Sequence, residues 1–131
     1  GVERSEEYAS RLIHSVETDT ERRLNLNVSN RTSAIENLPD DACVEVPTLV
    51  DGTGLHPCSV GSLPTQVAEF SRQHTTVHGL AVEGALENDR EKVHQAVKHD
   101  PLTAAALDLD DIHRMTEELL EANEAYLPAL H

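Results

Sequence analysis

The first regular pattern along the chain is a set of apolar positions at helical spacing within residues 5–17. Ser5 stands where a helix cap is expected, and the acidic Glu6 and Glu7 suit the positive end of a helix dipole. The pattern therefore predicts a helix over residues 5–17 with a single apolar stripe. The stripe consists of Tyr8, Leu12, Ile13 and Val16.

The spacing then changes to the alternation of apolar and polar residues that is typical of β-strands. Residues 22–28 are predicted to form a half-buried strand. Residues 43–50 are predicted to form a second strand, in which Pro47 favours an edge or bulged position. A turn at residues 51–54 leads to a third strand at 55–60, so these two strands are expected to form a hairpin with a four-residue loop.

Helical spacing returns after the third strand and predicts a helix over residues 62–86. Its stripe consists of Val67, Phe70, His74, Val77, Ala81 and Ala85. Gly79 and Gly84 lower the helix propensity here, so close packing against them is expected. Further helices are predicted over residues 90–98 and from Asp108 to about Asn123. The last of these is expected to turn inward Ile112, Met115, Leu119, Leu120 and Ala122.

These elements predict an α+β fold, in which a small antiparallel hairpin or sheet packs with several α-helices. The chain has 131 residues, of which 16 Leu, 3 Ile, 12 Val and 1 Phe supply an aliphatic core. A chain of this size can bury one modest core, and its apolar content is above the range typical of disorder.

The net charge of −14 excludes two classes of partner. A general nucleic-acid binder needs a basic surface, and so does a protein that adheres to anionic membranes. No stretch has the roughly 20 apolar residues of a membrane span, and no signal peptide opens the chain. Two cysteines are too few for a disulfide framework, which predicts a reducing, cytoplasmic setting. Two Lys and many acids are typical of a protein adapted to high salt, and also of an ordinary acidic protein.

Few residues show the spacing of a catalytic or metal site. His74 and His78 lie four apart on a predicted helix, as zinc ligands can, but no third ligand is evident, so ordinary histidines are favoured. His94, His99 and His113 add no recognisable cluster.

The cysteines and the glycine-rich turn are interpreted as structural. If Val50 faces Leu55, then Cys43 lies four residues out of register with Cys58, so two buried thiols are predicted instead of a disulfide. Gly52-Thr53-Gly54 lacks the third glycine and the following helix of a phosphate-binding loop, so it is predicted to be a hairpin turn.

Seven short sequence segments indicate more about the protein than the spacing of its apolar residues does. In chain order they are Asn27-Val28-Ser29-Asn30, Ala34-Ile35-Glu36-Asn37-Leu38-Pro39, Val44-Glu45-Val46-Pro47, Val60-Gly61-Ser62-Leu63-Pro64, Leu80-Ala81-Val82-Glu83, Asp100-Pro101-Leu102-Thr103-Ala104 and Tyr126-Leu127-Pro128. This order resembles the C-terminal domain of glycoside hydrolase family 4, over residues 4–128. The resemblance is strongest to the α-galactosidase, α-glucosidase and α-galacturonidase members. Ser33 departs from it, since the family usually has glycine there.

The resemblance implies a fold like the C-terminal domain of lactate dehydrogenase-like enzymes, with residues 1–131 forming the C-terminal substrate and oligomerisation domain. It also implies an NAD- and manganese-dependent glycosidase that is a dimer or tetramer. Hydrolysis of α-galactosides or related α-glycosides and α-galacturonides would proceed by oxidation, elimination and addition, with no pair of catalytic carboxylates. The N-terminal NAD-binding domain is not in this chain, and no catalytic, NAD-binding or manganese-binding residue maps onto it. In particular, Cys43 and His56 are not the family's metal pair.

In such an enzyme the cleft lies between the cofactor domain and this one. The polar segment 27–37 is the best candidate to face it, and Asn27, Asn30 and Asn37 are predicted to bind sugar hydroxyls or orient the cofactor. Alternatively, these amides satisfy backbone groups of the loop. Two functions remain open: part of a redox-assisted glycosidase that is inactive by itself, or a stand-alone, catalytically inactive binding or assembly module of the same fold.

Overall fold

The computed structural model describes residues 7–131, so the predicted cap Ser5 and the neighbouring Glu6 lie outside the described residues. The chain divides into two compact units, Gly1–Leu63 and Pro64–His131. Within the described residues the fold is α+β, with three antiparallel strands and five α-helices, as the sequence predicts.

The first unit is a three-stranded sheet with one helix against it. Its elements are α1 (Ala9–Thr18), β1 (Arg22–Ser29), a 3-10 turn (Asn30–Thr32), β2 (Cys43–Asp51) and β3 (Gly54–Pro57). The strand order is β1-β2-β3, and α1 lies against β1 and β2. Alternate residues of β2 are buried, because one face of the sheet covers the core. The core of this unit consists of Leu26, Ala34, Ile35, Leu38, Ala42, Val44, Val46 and Val50.

Pro47 lies in the central strand, so the prediction that it marks an edge or bulge was wrong. It pairs with Asn25 of β1, and its carbonyl accepts a hydrogen bond from the backbone N–H of Cys58 at 2.8 Å. In an antiparallel strand the N–H and C=O of one residue point to the same side. The N–H that proline lacks would therefore point away from β1, just beyond the last residue of β3. Pro47 removes no hydrogen bond from the β1–β2 ladder.

The hairpin between β2 and β3 is tighter than predicted. Val50 faces Leu55, as expected, but Asp51 pairs with Gly54, which leaves two residues in the loop instead of four. β3 ends at Pro57 and not at residue 60, since the chain then pairs elsewhere: the Val60 N–H donates to the Ala34 carbonyl at 2.7 Å.

The apolar stripe predicted on α1 is largely exposed to solvent. Ile13 is 62% exposed and Val16 is 40% exposed, whereas Ser15 is fully buried. The guanidinium of Arg22 donates to the Ser15 hydroxyl at 2.8 Å, which satisfies this buried oxygen. The one buried residue of α1 is therefore the polar Ser15, while Leu12 of the predicted stripe is half-buried.

The second unit contains four helices. They are α2 (Thr65–Glu87), α3 (Arg90–His99), α4 (Pro101–Ala106) and α5 (Leu109–Ala122), followed by a 3-10 turn (Glu124–Tyr126). Asp89, Asp100 and Asp108 cap α3, α4 and α5 by accepting a hydrogen bond from a backbone N–H of the first turn. α4 was not predicted, although Asp100-Pro101 combines a capping residue with proline at the first helical position.

The predicted stripes of α2 and α5 are only partly buried. On α2, Phe70 is 61% exposed, and the buried residues are Ala68 and Gly84. On α5, Ile112 is buried as predicted, whereas Leu119 is 56% exposed. None of the helices in the described part of the chain combines the length and the apolar composition needed to cross a bilayer.

Gly84 of α2 lies in close contact with α3 and with Asp89, the residue that caps α3. A Cβ there would lie 3.0 Å from Val93 Cγ2, 3.1 Å from the Val93 backbone nitrogen and 3.2 Å from the Asp89 carbonyl oxygen. A Cβ at Gly79 would have no atom within 4 Å, so the expected close packing is found at Gly84 and not at Gly79.

These two glycines form a matched pair of substitutions within one helix. Gly84→Ala is expected to destabilise the protein by about 1–3 kcal/mol, because backbone atoms must move to admit the new carbon. Gly79→Ala is expected to stabilise it by up to about 1 kcal/mol, since alanine is the better helix former and meets no obstacle. Urea unfolding of both variants measures the difference, and equal losses of stability would contradict the packing described.

Candidate functional site

The outward face of the sheet presents a row of polar side chains. Asn27 is exposed on β1 and pairs with the exposed Glu45 of β2, while Ser29 pairs with Cys43. Directly opposite residues of an antiparallel pair have Cβ atoms about 5 Å apart. One amide and one carboxylate are thus held side by side on a rigid ladder, which is an arrangement that can bind sugar hydroxyls.

Asn30 is fully buried, and its amide holds the loop that follows β1. Its Nδ2 donates to the carbonyl oxygens of Ile35, Leu38 and Pro39 at 2.9, 3.1 and 3.2 Å. Its Oδ1 accepts from the Ile35 N–H at 2.9 Å. The amide of Asn30 is therefore used within the protein, as the alternative interpretation of these asparagines expects.

Asn37 joins the same loop to the segment that precedes α2. Its Nδ2 donates to the Leu63 carbonyl at 2.8 Å, and its Oδ1 accepts from the Leu63 N–H at 2.9 Å. Beside it, the Ser62 hydroxyl donates to Glu36 at 2.8 Å. The loop that follows β1 is thus fastened by Asn30 at its start and by Asn37 further along.

Ser33 takes the left-handed backbone conformation, with φ of +52°. Residues other than glycine reach this region at some cost, whereas glycine reaches it freely. Its N–H donates to the Asn30 carbonyl at 2.7 Å and closes the 3-10 turn. The loop therefore keeps a glycine-type turn although a serine occupies it.

The two cysteines are free, as predicted, but the prediction that both are buried was wrong. Cys43 is exposed because it stands on the outward side of β2, next to the inward Val44. His56 lies opposite Leu49, six residues along β2 from Cys43. At the rise of a β-strand this is roughly 20 Å, so Cys43 and His56 cannot share one metal ion.

The hairpin tip does not have the structure of a nucleotide-binding loop. Gly52 and Thr53 connect β2 to β3, and no helix follows them. The carboxylate of Asp51 accepts hydrogen bonds from the hydroxyl and the N–H of Thr53, which lower the pKa of Asp51. A phosphate would meet this carboxylate, so the residues present here do not fit a dinucleotide.

Contrary to the expectation that His94 and His113 belong to no cluster, these two residues and Glu117 meet between α3 and α5 of the second unit. His94 is 2% exposed, and its Nε2 lies 2.5 Å from Glu117 Oε1. The rings of His94 and His113 stack with their centroids 4.5 Å apart. His74 and His78, the pair noted in the sequence, are not part of this group.

Arg90 completes the cluster by pairing with both oxygens of Glu117. Its Nε donates to Oε1 at 3.0 Å, and its Nη2 donates to Oε2. The hydrogen bonds from Arg90 and then from His94 lower the pKa of Glu117 to about 2, so the carboxylate is ionised at neutral pH. The only sequence signal was the four-residue spacing of His113 and Glu117, since His94 lies far away in the chain.

This chain matches the family model described as the family 4 glycosyl hydrolase C-terminal domain over residues 2–103. An α-galactosidase of Bacillus subtilis (strain 168) is 39% identical over 96% of this chain and 29% of its own length. An α-galactosidase of Rhizobium meliloti (strain 1021) is 33% identical over 97% of this chain and 26% of its own length. The chain thus spans less than a third of these relatives.

Solved structures of similar proteins agree with this fold. A 6-phospho-α-glucosidase from gut microorganisms, in complex with NAD and glucose-6-phosphate, has a TM-score of 0.83 and 32% identity over 92% of this chain and 26% of its own. A 6-phospho-β-glucosidase from Thermotoga maritima, with manganese, NAD+ and glucose-6-phosphate, has a TM-score of 0.79 and 31% identity over 91% of this chain and 30% of its own.

The asparagines of the loop are expected to differ in what they contribute to stability. Asn30→Ala should lower the free energy of unfolding by at least about 2 kcal/mol, because several buried backbone groups lose their partner. Asn27→Ala should change it by less than about 0.5 kcal/mol, since the side chain is exposed. Thermal or urea unfolding compares the two, and an unchanged Asn30→Ala variant would refute the structural role.

Proposed function

Because the chain belongs to glycoside hydrolase family 4, as its C-terminal domain, we propose that it is part of an enzyme that hydrolyses O-glycosidic bonds. The substrates we propose are α-galactosides or related α-glycosides and α-galacturonides. The collinear match to the family's domain carries this proposal, and the two α-galactosidases among the relatives support the choice of sugar.

The complete enzyme would use NAD and manganese in an oxidation, elimination and addition sequence, as the resemblance implies. The solved neighbours bound to NAD and manganese support this assignment of cofactors. The residues described here do not fit NAD, and the one three-residue cluster of metal-ligand types among them offers two imidazoles and a single carboxylate, whereas manganese prefers oxygen ligands. We therefore assign both cofactors to an N-terminal NAD-binding domain and route no chemical step through residues 7–131.

The contribution of this chain is to bind and orient the sugar. Asn27 would do so directly, because its amide is exposed and, within the described residues, makes no hydrogen bond. Asn30 and Asn37 would act indirectly, by holding the loop at the end of β1. Glu45 is added to the predicted residues because the register places it beside Asn27. We also propose that the enzyme forms oligomers through the partly exposed apolar stripe of α2.

The first test measures the mass and the glycosidase activity of the protein expressed from the complete gene, and compares them with those of residues 1–131 alone. The protein expressed from its complete gene is expected to exceed 14.4 kDa and to release the aglycone of an aryl α-galactoside when NAD and manganese are supplied. Residues 1–131 alone should neither bind NAD nor cleave the substrate. A native product of 14.4 kDa would instead favour the stand-alone binding module, and turnover by that chain would contradict the assignment of the chemistry.

A second test concerns Asn27 in the complete enzyme. Asn27→Ala should lower kcat/KM by about tenfold, which corresponds to the loss of one hydrogen bond to the substrate. The stability of the protein should not change. Gln73→Ala is a matched control, because it removes an exposed amide from α2. Equal kinetics of the Asn27→Ala variant and the parent enzyme would remove Asn27 from the binding site.

A further inference from the structure

The cluster between α3 and α5 contains the ligand types of a transition-metal site. One nitrogen of His94, one nitrogen of His113 and one oxygen of Glu117 lie within 4.8 Å of one another. His113 and Glu117 are four residues apart on α5 and therefore project from the same side of the helix. His94 enters from α3, so the three donors converge from two elements whose positions the fold fixes.

Two imidazoles and a carboxylate are a donor set that zinc and similar divalent ions bind. We propose that His94, His113 and Glu117 bind one divalent transition-metal ion of the zinc class, which links α3 to α5. The proposed metal site does not depend on the glycosidase proposal. It uses neither NAD nor manganese, and it lies on helices outside the 27–37 segment.

The present contacts show how an ion would enter. His94 Nε2 lies 2.5 Å from Glu117 Oε1, and since this carboxylate is ionised, Nε2 donates its hydrogen to it. A zinc ion with bonds of about 2.1 Å would take the place of that hydrogen once the two atoms separate to roughly 3.4 Å, the ligand spacing of a tetrahedral site. Ligation requires a bare imidazole nitrogen, so the Nε2 hydrogen of His94 must leave that atom, and in a neutral ring Nδ1 carries the hydrogen instead.

The charges around the cluster favour a cation and influence how tightly it would bind. The net charge of −14 raises the local concentration of cations. Arg90 opposes the ion electrostatically, and its Nε and Nη2 donate to Oε1 and Oε2 of Glu117, so the bond from Nε to Oε1 must give way when Oε1 binds the ion, while the bond to Oε2 remains. A carboxylate ligand is ordinarily oriented by such an outer hydrogen bond. His113 is exposed, so its ring can turn from stacking on His94 to face the ion.

The test replaces His113, because the side chain is exposed and its substitution has little effect on the stability of the fold. The protein expressed from its complete gene is titrated with Zn²⁺ and with Co²⁺, and bound metal is counted per chain. The parent is expected to bind one zinc more than His113→Ala, with the affinity at this site falling by at least about tenfold. His78→Ala, which removes an exposed histidine from α2, should bind as the parent does.

A second variant distinguishes ligation from a structural role. In His113→Cys a thiolate replaces the imidazole, and both are zinc ligands. This variant should keep the extra zinc and, with Co²⁺, should gain a sulfur-to-cobalt charge-transfer band that the parent lacks. Equal zinc content in the parent and His113→Ala, or no new band in His113→Cys, would overturn the proposal.

Discussion

The side-chain amide of Asn30 is the interaction on which the first unit depends. Residues 30–42 run without regular secondary structure for most of their length, and their backbone carries polar groups that must be paired when buried. One asparagine supplies partners for four of them, three carbonyls and one N–H. Its position immediately after β1 ties this loop to the sheet. The location of Ala34, Ile35 and Leu38 in the core follows from that.

Side chains alternate between the two faces of the sheet along each strand, so one face packs in the core and the other faces outward. Inward residues of β1 and β2 form the core with the loop, and the outward residues are mostly polar, with the exposed Leu49 as an exception. Asn27 and Glu45 lie on the outward face because Leu26, Val28, Val44 and Val46 lie on the inward one. The pairing register, and not any local motif, brings the amide and the carboxylate together.

The sequence predicted the elements better than their buried faces. The starts of α3 and α5 were predictable because the caps Asp89 and Asp108 act on the next few residues, whereas α1 begins at Ala9 and not at residue 5. The stripes of α1 and α2 were apolar yet remain exposed at Ile13 and Phe70, since the side that is covered depends on distant packing.

The site was predictable only as a polar segment. The sequence identified Asn27, Asn30 and Asn37, but it could not distinguish an exposed amide from two that bond loop backbone. The bonds of Asn30 reach up to nine residues along the chain and those of Asn37 reach 26. His94 and Glu117 meet across 23 residues on two helices, and no periodicity within either helix indicates that contact.

Pro47 has a consequence for how the sheet behaves in a crowded solution. β3 is short, so the first half of β2 has β1 on one side and, among the described residues, no strand on the other. An open edge of this kind invites strands from other molecules to join it. Where that open edge begins, Pro47 offers no donor and its carbonyl is already bonded to Cys58, and Glu45, two residues away, adds a charge. The same residue that the β1–β2 ladder tolerates without loss therefore protects the sheet against aggregation by strand addition.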